Sequence, residues 1–337
     1  MTRVVDRSLL VSAKKNKNDE FYTQYVDILN ELAHYKGCFE GKVVYCNTDD
    51  PRVSNFVKFF VDNFETLGIS KLIATGYASG DEPRGSVMVY DGSEEALRDF
   101  EAGKCGRLEG DGDFRSGECL DYLRQADVVV TNPPYSLLRQ FVSVLRNYDT
   151  DFLIIATVNA ITYKDIFKLI QQGTVWLGVG LGRAISGFIV PEHYELYGTE
   201  ARINERGERI VSTNNSLWLT TLDLDKRHED IPLVETYAGN EDRYPTYDNL
   251  DGINVNKTKD IPGDYYGLMG VPITFLHKHN PRQFEIVRFR KGDDGKDLRV
   301  NGKSPYFRIV IRRKTDRGER PLLSGETALT GGQTMMF

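Results

Sequence analysis

Directly after the apolar run Val128-Val129-Val130 the chain reads Thr131-Asn132-Pro133-Pro134-Tyr135. Two consecutive prolines neither continue a sheet nor enter a helix interior, so the chain must turn there. Fixed φ at both prolines also aims the carbonyls of the turn in set directions. An aromatic amine is a weak nucleophile, because its lone pair is delocalised into the ring. A turn that accepts both of its N–H bonds, one on the Asn132 side-chain oxygen and one on the Pro133 carbonyl, localises that lone pair. Tyr135 is suited to stack on such a ring and hold it for in-line attack on a methyl sulfonium, an electrophile that needs no metal. The competing reading is an ordinary Asn-Pro turn with Tyr135 in the core.

The elements that position this turn follow from hydrophobic periodicity. Asp19 to Tyr35 reads as a helix stopped by Gly37, with Val26, Ile28, Leu29 and Leu32 partly on one face. Lys42 to Cys46 reads as a buried strand. Asp50-Pro51 then resembles an N-cap with Pro at the first helical position. Val53, Phe56, Val57, Phe60, Val61 and Phe64 follow at helical spacing, and Gly68 ends the helix. Lys71 to Thr75, Ala126 to Thr131 and Phe152 to Thr157 are further strands, with helices expected from Ser136 to Leu145 and from Thr162 to Gln171. Such alternation predicts an α/β fold with a doubly wound, mostly parallel sheet, whose ligands bind beyond the carboxyl ends of the strands. After about Leu224 helical periodicity fades and short β-rich pieces such as Phe307 to Ile311 appear. Two domains are expected, a catalytic one over 1–230 and a smaller one over 231–337 that ends in a loose tail from Gly325.

Composition narrows the class. Of 337 residues, 40% are hydrophobic and 27% charged, and no apolar run reaches the roughly 18–20 residues of a membrane span. The polar, Lys-rich start lacks the apolar stretch of a signal peptide, so a cytoplasmic protein is expected. The four cysteines have no C-x-x-C spacing and read as reduced thiols. His277 and His279 alone make no metal site, and a surface position is expected for them. Net charge is −6, yet Ile286 to Arg320 carries twelve Lys/Arg against five Asp/Glu, a local +7 that permits a basic docking face.

Asn-Pro-Pro-Tyr at a strand end is the motif of amino-group methyltransferases, shared with those acting on protein glutamine and on RNA guanine. The surrounding stretches resemble the EcoRI-type adenine-specific DNA methyltransferases. These are DEFYTQY (19–25), VVYCNTDDPRVSNF (43–56), GDGDF (110–114), NAITYK (159–164), DGINVNKTKDIP (251–262) and GVPITFLHKHNPRQFEIV (270–287). The resemblance implies transfer of a methyl group from S-adenosyl-L-methionine to N6 of adenine in double-stranded DNA, with the target base flipped out and Asn132, Pro133, Pro134 and Tyr135 catalytic. It implies that Phe21, Tyr22 and Thr23 surround the methionine part of the cofactor. It also implies that Asp113 and Phe114 hold its adenine, with Asp111 as the alternative carboxylate.

The loop after the first strand departs from the family at large. Its usual glycines are replaced by Asn47-Thr48-Asp49-Asp50, any of which can touch the cofactor; Asn47 and Asp50 are the candidates, with Asp50 or another acidic loop residue for the ribose hydroxyls. For DNA, Asn254 and Asn256 are candidates for reading adenine edges and Lys257 and Lys259 for phosphates. Trp218 is either a core residue or a second aromatic that sandwiches the flipped base. A restriction endonuclease acting on the same site is a candidate partner, and GAATTC is a first expectation for that site. The alternatives are another amine or amide substrate, on protein glutamine or RNA, and an inactive DNA-binding module on this scaffold.

Overall fold

The apolar runs of the first half condense into a sheet whose inner strands are covered on both faces, which is why they carry no polar alternation. The computed structural model describes residues 22–78, 82–180, 185–190, 201–212, 215–290, 297–305 and 307–315. The chain divides into two compact units, Met1–Leu224 and Asp225–Phe337. The first unit begins with β1 (Tyr22–Thr23), α1 (Tyr25–Leu32), β2 (Val43–Asn47), α2 (Asn55–Asp62), α3 (Phe64–Leu67), β3 (Lys71–Gly76) and β4 (Ser86–Tyr90). It continues through α4 (Glu94–Glu101), β5 (Gly106–Arg107), α5 (Gly117–Leu123), β6 (Val128–Thr131), α6 (Leu138–Asn147), β7 (Asp151–Thr157) and α7 (Lys164–Gln171). It closes with β8 (Trp176–Leu177), β9 (Phe188–Val190), β10 (Ala201–Ile203), β11 (Arg209–Val211) and β12 (Ser216–Thr220).

The main sheet has the order β5-β4-β3-β2-β6-β7-β12-β8. Its central strands β3, β2, β6 and β7 pair in parallel. Both flanks are antiparallel, because β4 and β12 run against their neighbours. Parallel pairing is therefore confined to the middle of the sheet, although only β4 and β12 point the other way. From β2 the chain passes to β3 on one side, and β6 joins β2 on the other. The order reverses between β2 and β6, and the crevice outside their carboxyl ends is where a sheet of this kind binds ligands.

Two helix expectations are corrected. Ser54 caps α2, accepting from the backbone of Phe56 at 3.1 Å and Val57 at 3.4 Å. Asp50 to Val53 is a turn before the helix, closed by Ser54 N–H on the Asp50 carbonyl at 2.9 Å. The Asp50 carboxylate is drawn to Arg52 instead of capping, and Val53 is 53% exposed. At the start, Tyr22 and Thr23 are extended rather than helical, paired antiparallel with Ile189 and Phe188 of β9. The buried side of α1 carries Ile28 and Leu32 but also Asp27 and Glu31, while Val26 and Leu29 are exposed. The two carboxylates are buried because they accept backbone N–H groups, Asp27 from Ser186 at 3.0 Å and Glu31 from Val179 and Gly180 at 2.7 and 2.9 Å.

In the second unit β13 (Thr246–Tyr247), β14 (Leu250–Asn254), β15 (Leu268–Pro272), β16 (Phe284–Arg290) and β17 (Arg308–Arg313) form a sheet in the order β13-β14-β15-β17-β16. Only β14 and β15 are parallel. Gly270 is required there, since a Cβ on it would lie 2.0 Å from the Tyr247 hydroxyl. The surface expected for His277 and His279 is not observed. Both rings are largely buried, His279 against Phe275 with Nε2 3.0 Å from the Phe284 carbonyl. Burial pushes their pKa values down to about 3 and about 4, so both are neutral packing residues. Among the described residues no group of three or more His, Cys, Asp or Glu is placed to hold a metal, and no helix is long and apolar enough to cross a membrane.

Candidate active site

The loop after β2 and the turn after β6 meet at the switch point. Thr131, the last residue of β6, is buried and donates its hydroxyl to the Asp49 carboxylate. Its Oγ1 also lies 3.0 Å from Thr48 Oγ1. Asp49 further accepts from the Ser54 hydroxyl at 2.7 Å, which ties the loop to the start of α2. Burial raises the Asp49 carboxyl to about 7, against the downward pull of the Thr131 and Ser54 hydroxyls. Thr48 has φ +77°, a left-handed conformation that is an outlier for a β-branched residue. The glycine missing from this loop is thus replaced by a strained threonine whose hydroxyl is bonded across the crevice.

The Asn-Pro-Pro-Tyr turn starts one residue beyond this network. Pro133 is buried, and Asn132 and Tyr135 are half-buried. The Pro134 carbonyl accepts from Leu137 N–H at 2.9 Å. The Pro133 carbonyl receives no hydrogen bond from the described residues. The Tyr135 hydroxyl is 3.0 Å from Ser216 Oγ, and its ring meets the edge of Phe188 at 6.5 Å between centroids. Burial pushes the Tyr135 phenol up to about 12, so it stays protonated. Phe188 pairs with Thr23 in the β1–β9 ladder, and Asn55 Nδ2 donates to the Thr23 carbonyl at 2.8 Å. The N-terminal motif is thereby fastened beside both the turn and the start of α2.

Two buried polar side chains here lack partners among the described residues. Neither Oδ1 nor Nδ2 of Asn47 is hydrogen-bonded, although the residue is fully buried at the end of β2. The hydroxyl of Thr23 is in the same position. A buried amide or hydroxyl left unpaired costs about 1–3 kcal/mol, so such groups mark a place where a polar ligand is expected. Both lie on segments singled out for S-adenosyl-L-methionine, and the residues present fit that group.

The remaining cofactor candidates are partly covered. Gly76, at the end of β3, packs on Asp50, and Gly112 packs on the Gly76 carbonyl, where added Cβ atoms would approach within 2.7 and 2.5 Å. The Gly110 to Asp113 loop is thereby brought to the same end of the sheet. Asp50 is gripped by Arg52 through Nε at 2.9 Å and Nη2 at 2.6 Å, and Arg115 grips Asp113 at the same two distances. Burial pushes the Asp50 carboxyl up, but the Arg52 guanidinium and backbone N–H outweigh it and hold it below the usual carboxylate range. Arg115 likewise depresses Asp113. The Arg115 guanidinium also lies 5.3 Å over the ring of Phe114, which is buried edge-on against Phe141. Asp111 is exposed and is the more open of the two carboxylates in that loop. Tyr22 is half-buried on β1, and Phe21 lies outside the described residues.

Two expectations are corrected for DNA contacts. Trp218 is fully buried in the core of the sheet, edge-on to Phe56 at 6.0 Å, and presents no face to a flipped base. Asn254 is buried too, its amide held by Tyr247, Arg308 and Asn256, so it is not an edge reader. Asn256, Lys257 and Lys259 are exposed. Among its described residues, the basic stretch is less free than its charge implies. Arg308 is buried, Arg313 donates to the Gly263 carbonyl and stacks 4.9 Å over Tyr266, and Lys314 donates to the Pro281 carbonyl at 2.7 Å. In the sequence Thr48 and Asp49 stand out only as members of a loop that lacks glycine, and Thr131 only as the residue before the turn. Phe188 and Ser216 carry no signal there.

Comparison with known proteins identifies the family. The family described as "Adenine-specific methyltransferase EcoRI" matches residues 9–314. The chain is 58% identical over 328 residues, 93% of its length and 99% of the other, to the type II methyltransferase M.EcoRI of Escherichia coli. It is 35% identical over 323 residues to the type II methyltransferase M.MgeORF184P of Mycoplasma genitalium, covering 90% of this chain and 98% of that one. It is 35% identical over 322 residues to M.MpnI of Mycoplasma pneumoniae, covering 90% and 97%. No solved structure matches. The chain belongs to the EcoRI-type family of adenine-specific methyltransferases.

Proposed function

We propose that this chain methylates the N6 amino group of adenine in a specific double-stranded DNA sequence, using S-adenosyl-L-methionine and flipping the target base out of the helix. The observation that carries the reading is the Asn-Pro-Pro-Tyr turn fixed by Thr131, Asp49 and Thr48 at the switch point, beside the unpaired amide of Asn47. The cofactor supplies a methyl group already activated on a sulfonium. Asn47 and Thr23 would hold its polar groups, with Asp111 or Asp113 and Phe114 for its adenine. Asn132 Oδ1 and the Pro133 carbonyl accept the two N–H bonds of the target amine and direct its lone pair outward. Tyr135 stacks on the base, its hydroxyl anchored on Ser216. A base inside a duplex cannot reach this crevice, so extrusion is required.

The second unit grips the duplex, with Lys257 and Lys259 on phosphates and Asn256 at a base edge. A type II restriction endonuclease sharing the site and a cytoplasmic setting complete the proposal. To test it, the purified chain is incubated with duplex DNA and S-adenosyl-L-methionine, and the digested nucleosides are identified by mass spectrometry. N6-methyladenine is expected. Methylated protein glutamine or RNA base in its place, or no product, overturns the reading. Affinity should also fall as salt rises, and Lys257→Ala with Lys259→Ala should flatten the slope of log affinity against log salt by up to about two.

A further inference from the structure

The second unit contains a buried relay that ends on an exposed side chain. Arg308, on β17, donates from Nε to Asn254 Oδ1 at 2.9 Å and from Nη2 to Asn256 Oδ1 at 3.1 Å. The Tyr247 hydroxyl donates to Asn254 Oδ1 at 2.9 Å, and Asn254 Nδ2 donates to Asn256 Oδ1 at 3.0 Å. The orientation of both amides is chemically forced. A guanidinium has donors only, so the amide atom facing it must be oxygen. Asn254 therefore turns its nitrogen to Asn256, whose oxygen receives two hydrogen bonds and has both lone pairs used. What Asn256 presents outward is its NH2 group. The residue is exposed, and its Nδ2 meets no acceptor among the described residues.

We propose that Asn256 reads one base of the target as a donor only, and that Arg308 and Asn254 are positioning residues that impose this. The inference rests on the reading of this chain as a DNA methyltransferase. The usual pairing of asparagine with adenine uses the amide oxygen on N6 and the nitrogen on N7. That pairing is closed to Asn256, because its oxygen is saturated from within. Its partner is a lone acceptor on a major-groove edge: N7 or O6 of guanine, O4 of thymine, or N7 of adenine. Asp at this position would keep the inward acceptor for Arg308 and Asn254 while replacing the outward donor with a second acceptor. The polarity of reading then inverts, toward bases that carry an amino group.

The test is to express the full chain in a host lacking adenine methylation and to map N6-methyladenine by modification-sensitive sequencing. The wild type should mark one motif. Asn256→Ala should relax that motif at a single position and lower the rate on the original site on the order of tenfold, the scale of one lost base-edge hydrogen bond. Asn256→Asp should shift the preference at that same position toward cytosine or adenine on the contacted strand. Arg308→Met, with folding checked by thermal melting, should relax the same position as Asn256→Ala. An unchanged motif in Asn256→Ala overturns the inference. So does uniform weakening on all sequences, which would make Asn256 a phosphate contact. Absence of methylation by the wild type would overturn the underlying reading, an outcome distinct from both.

Discussion

In the first unit the amide of Asn47 is buried with neither atom hydrogen-bonded among the described residues, whereas the equally buried amide of Asn254 in the second unit uses both atoms. The same side chain is thus left incomplete in one place and completed in the other. An incomplete buried amide destabilises the chain by itself and recovers that free energy when a polar ligand arrives. A completed one rigidifies its neighbours and fixes which atom the next side chain exposes. The function proposed above calls for this contrast: one unit that binds a small molecule and one that presents a rigid surface to a large one.

The largest expected effect is in the crevice. Asn132→Ala should lower methyl transfer by at least about 100-fold, the scale of removing a side chain that stabilises developing charge, while cofactor affinity stays within a few-fold. Single-turnover kinetics with calorimetry of cofactor binding checks both, and wild-type turnover would break the assignment of the turn. Asn47→Leu sharpens the contrast itself. Cofactor affinity should fall by about 1–3 kcal/mol, while the chain without cofactor gains stability of similar size, because the unpaired amide is gone. A loss of both would mean that Asn47 is paired after all.

Next come opposite responses to pH. Asp49 keeps its proton up to about 7 when folded, against an ordinary value of 3.8. Between about pH 4 and 7 the folded state therefore binds more protons than the unfolded one, and this residue's contribution to stability falls as pH rises through that window. His277 and His279 do the reverse. Held to about 3 and about 4 against 6.5, they bind fewer protons when folded, and their contribution falls as pH drops from 6.5 toward 4. Hydrogen exchange by mass spectrometry resolves the units separately. Exchange across β2 and β6 should quicken with rising pH, after correction for the intrinsic rate, and exchange around Phe275 with falling pH. The same trend in both would remove the distinction. The smallest effect is Thr48→Gly, which relieves a left-handed threonine and should raise the melting free energy by about 0.5–1 kcal/mol, less what the lost bond to Thr131 contributed.

Much was legible in the sequence because it was local. The double proline compels a turn at 131–135 whatever surrounds it, and the Val128-Val129-Val130 run is buried on both faces wherever it sits in a parallel sheet. Helix α2 was legible from its spacing, but its start was not. Ser54 and Asp50 are both good caps, and the choice depended on Arg52 taking the Asp50 carboxylate. Thr48 and Asp49 are neighbours, but 82 residues separate Asp49 from Thr131, and the two segments meet only because β2 and β6 pair in parallel. Tertiary packing also decided between the two readings of Trp218, since β12 lies inside the sheet rather than at its edge. Asn254 and Asn256 look alike in sequence, two residues apart. Strand β14 turns the first toward Arg308 and the loop beyond turns the second to solvent, so the fold alone buried one and exposed the other.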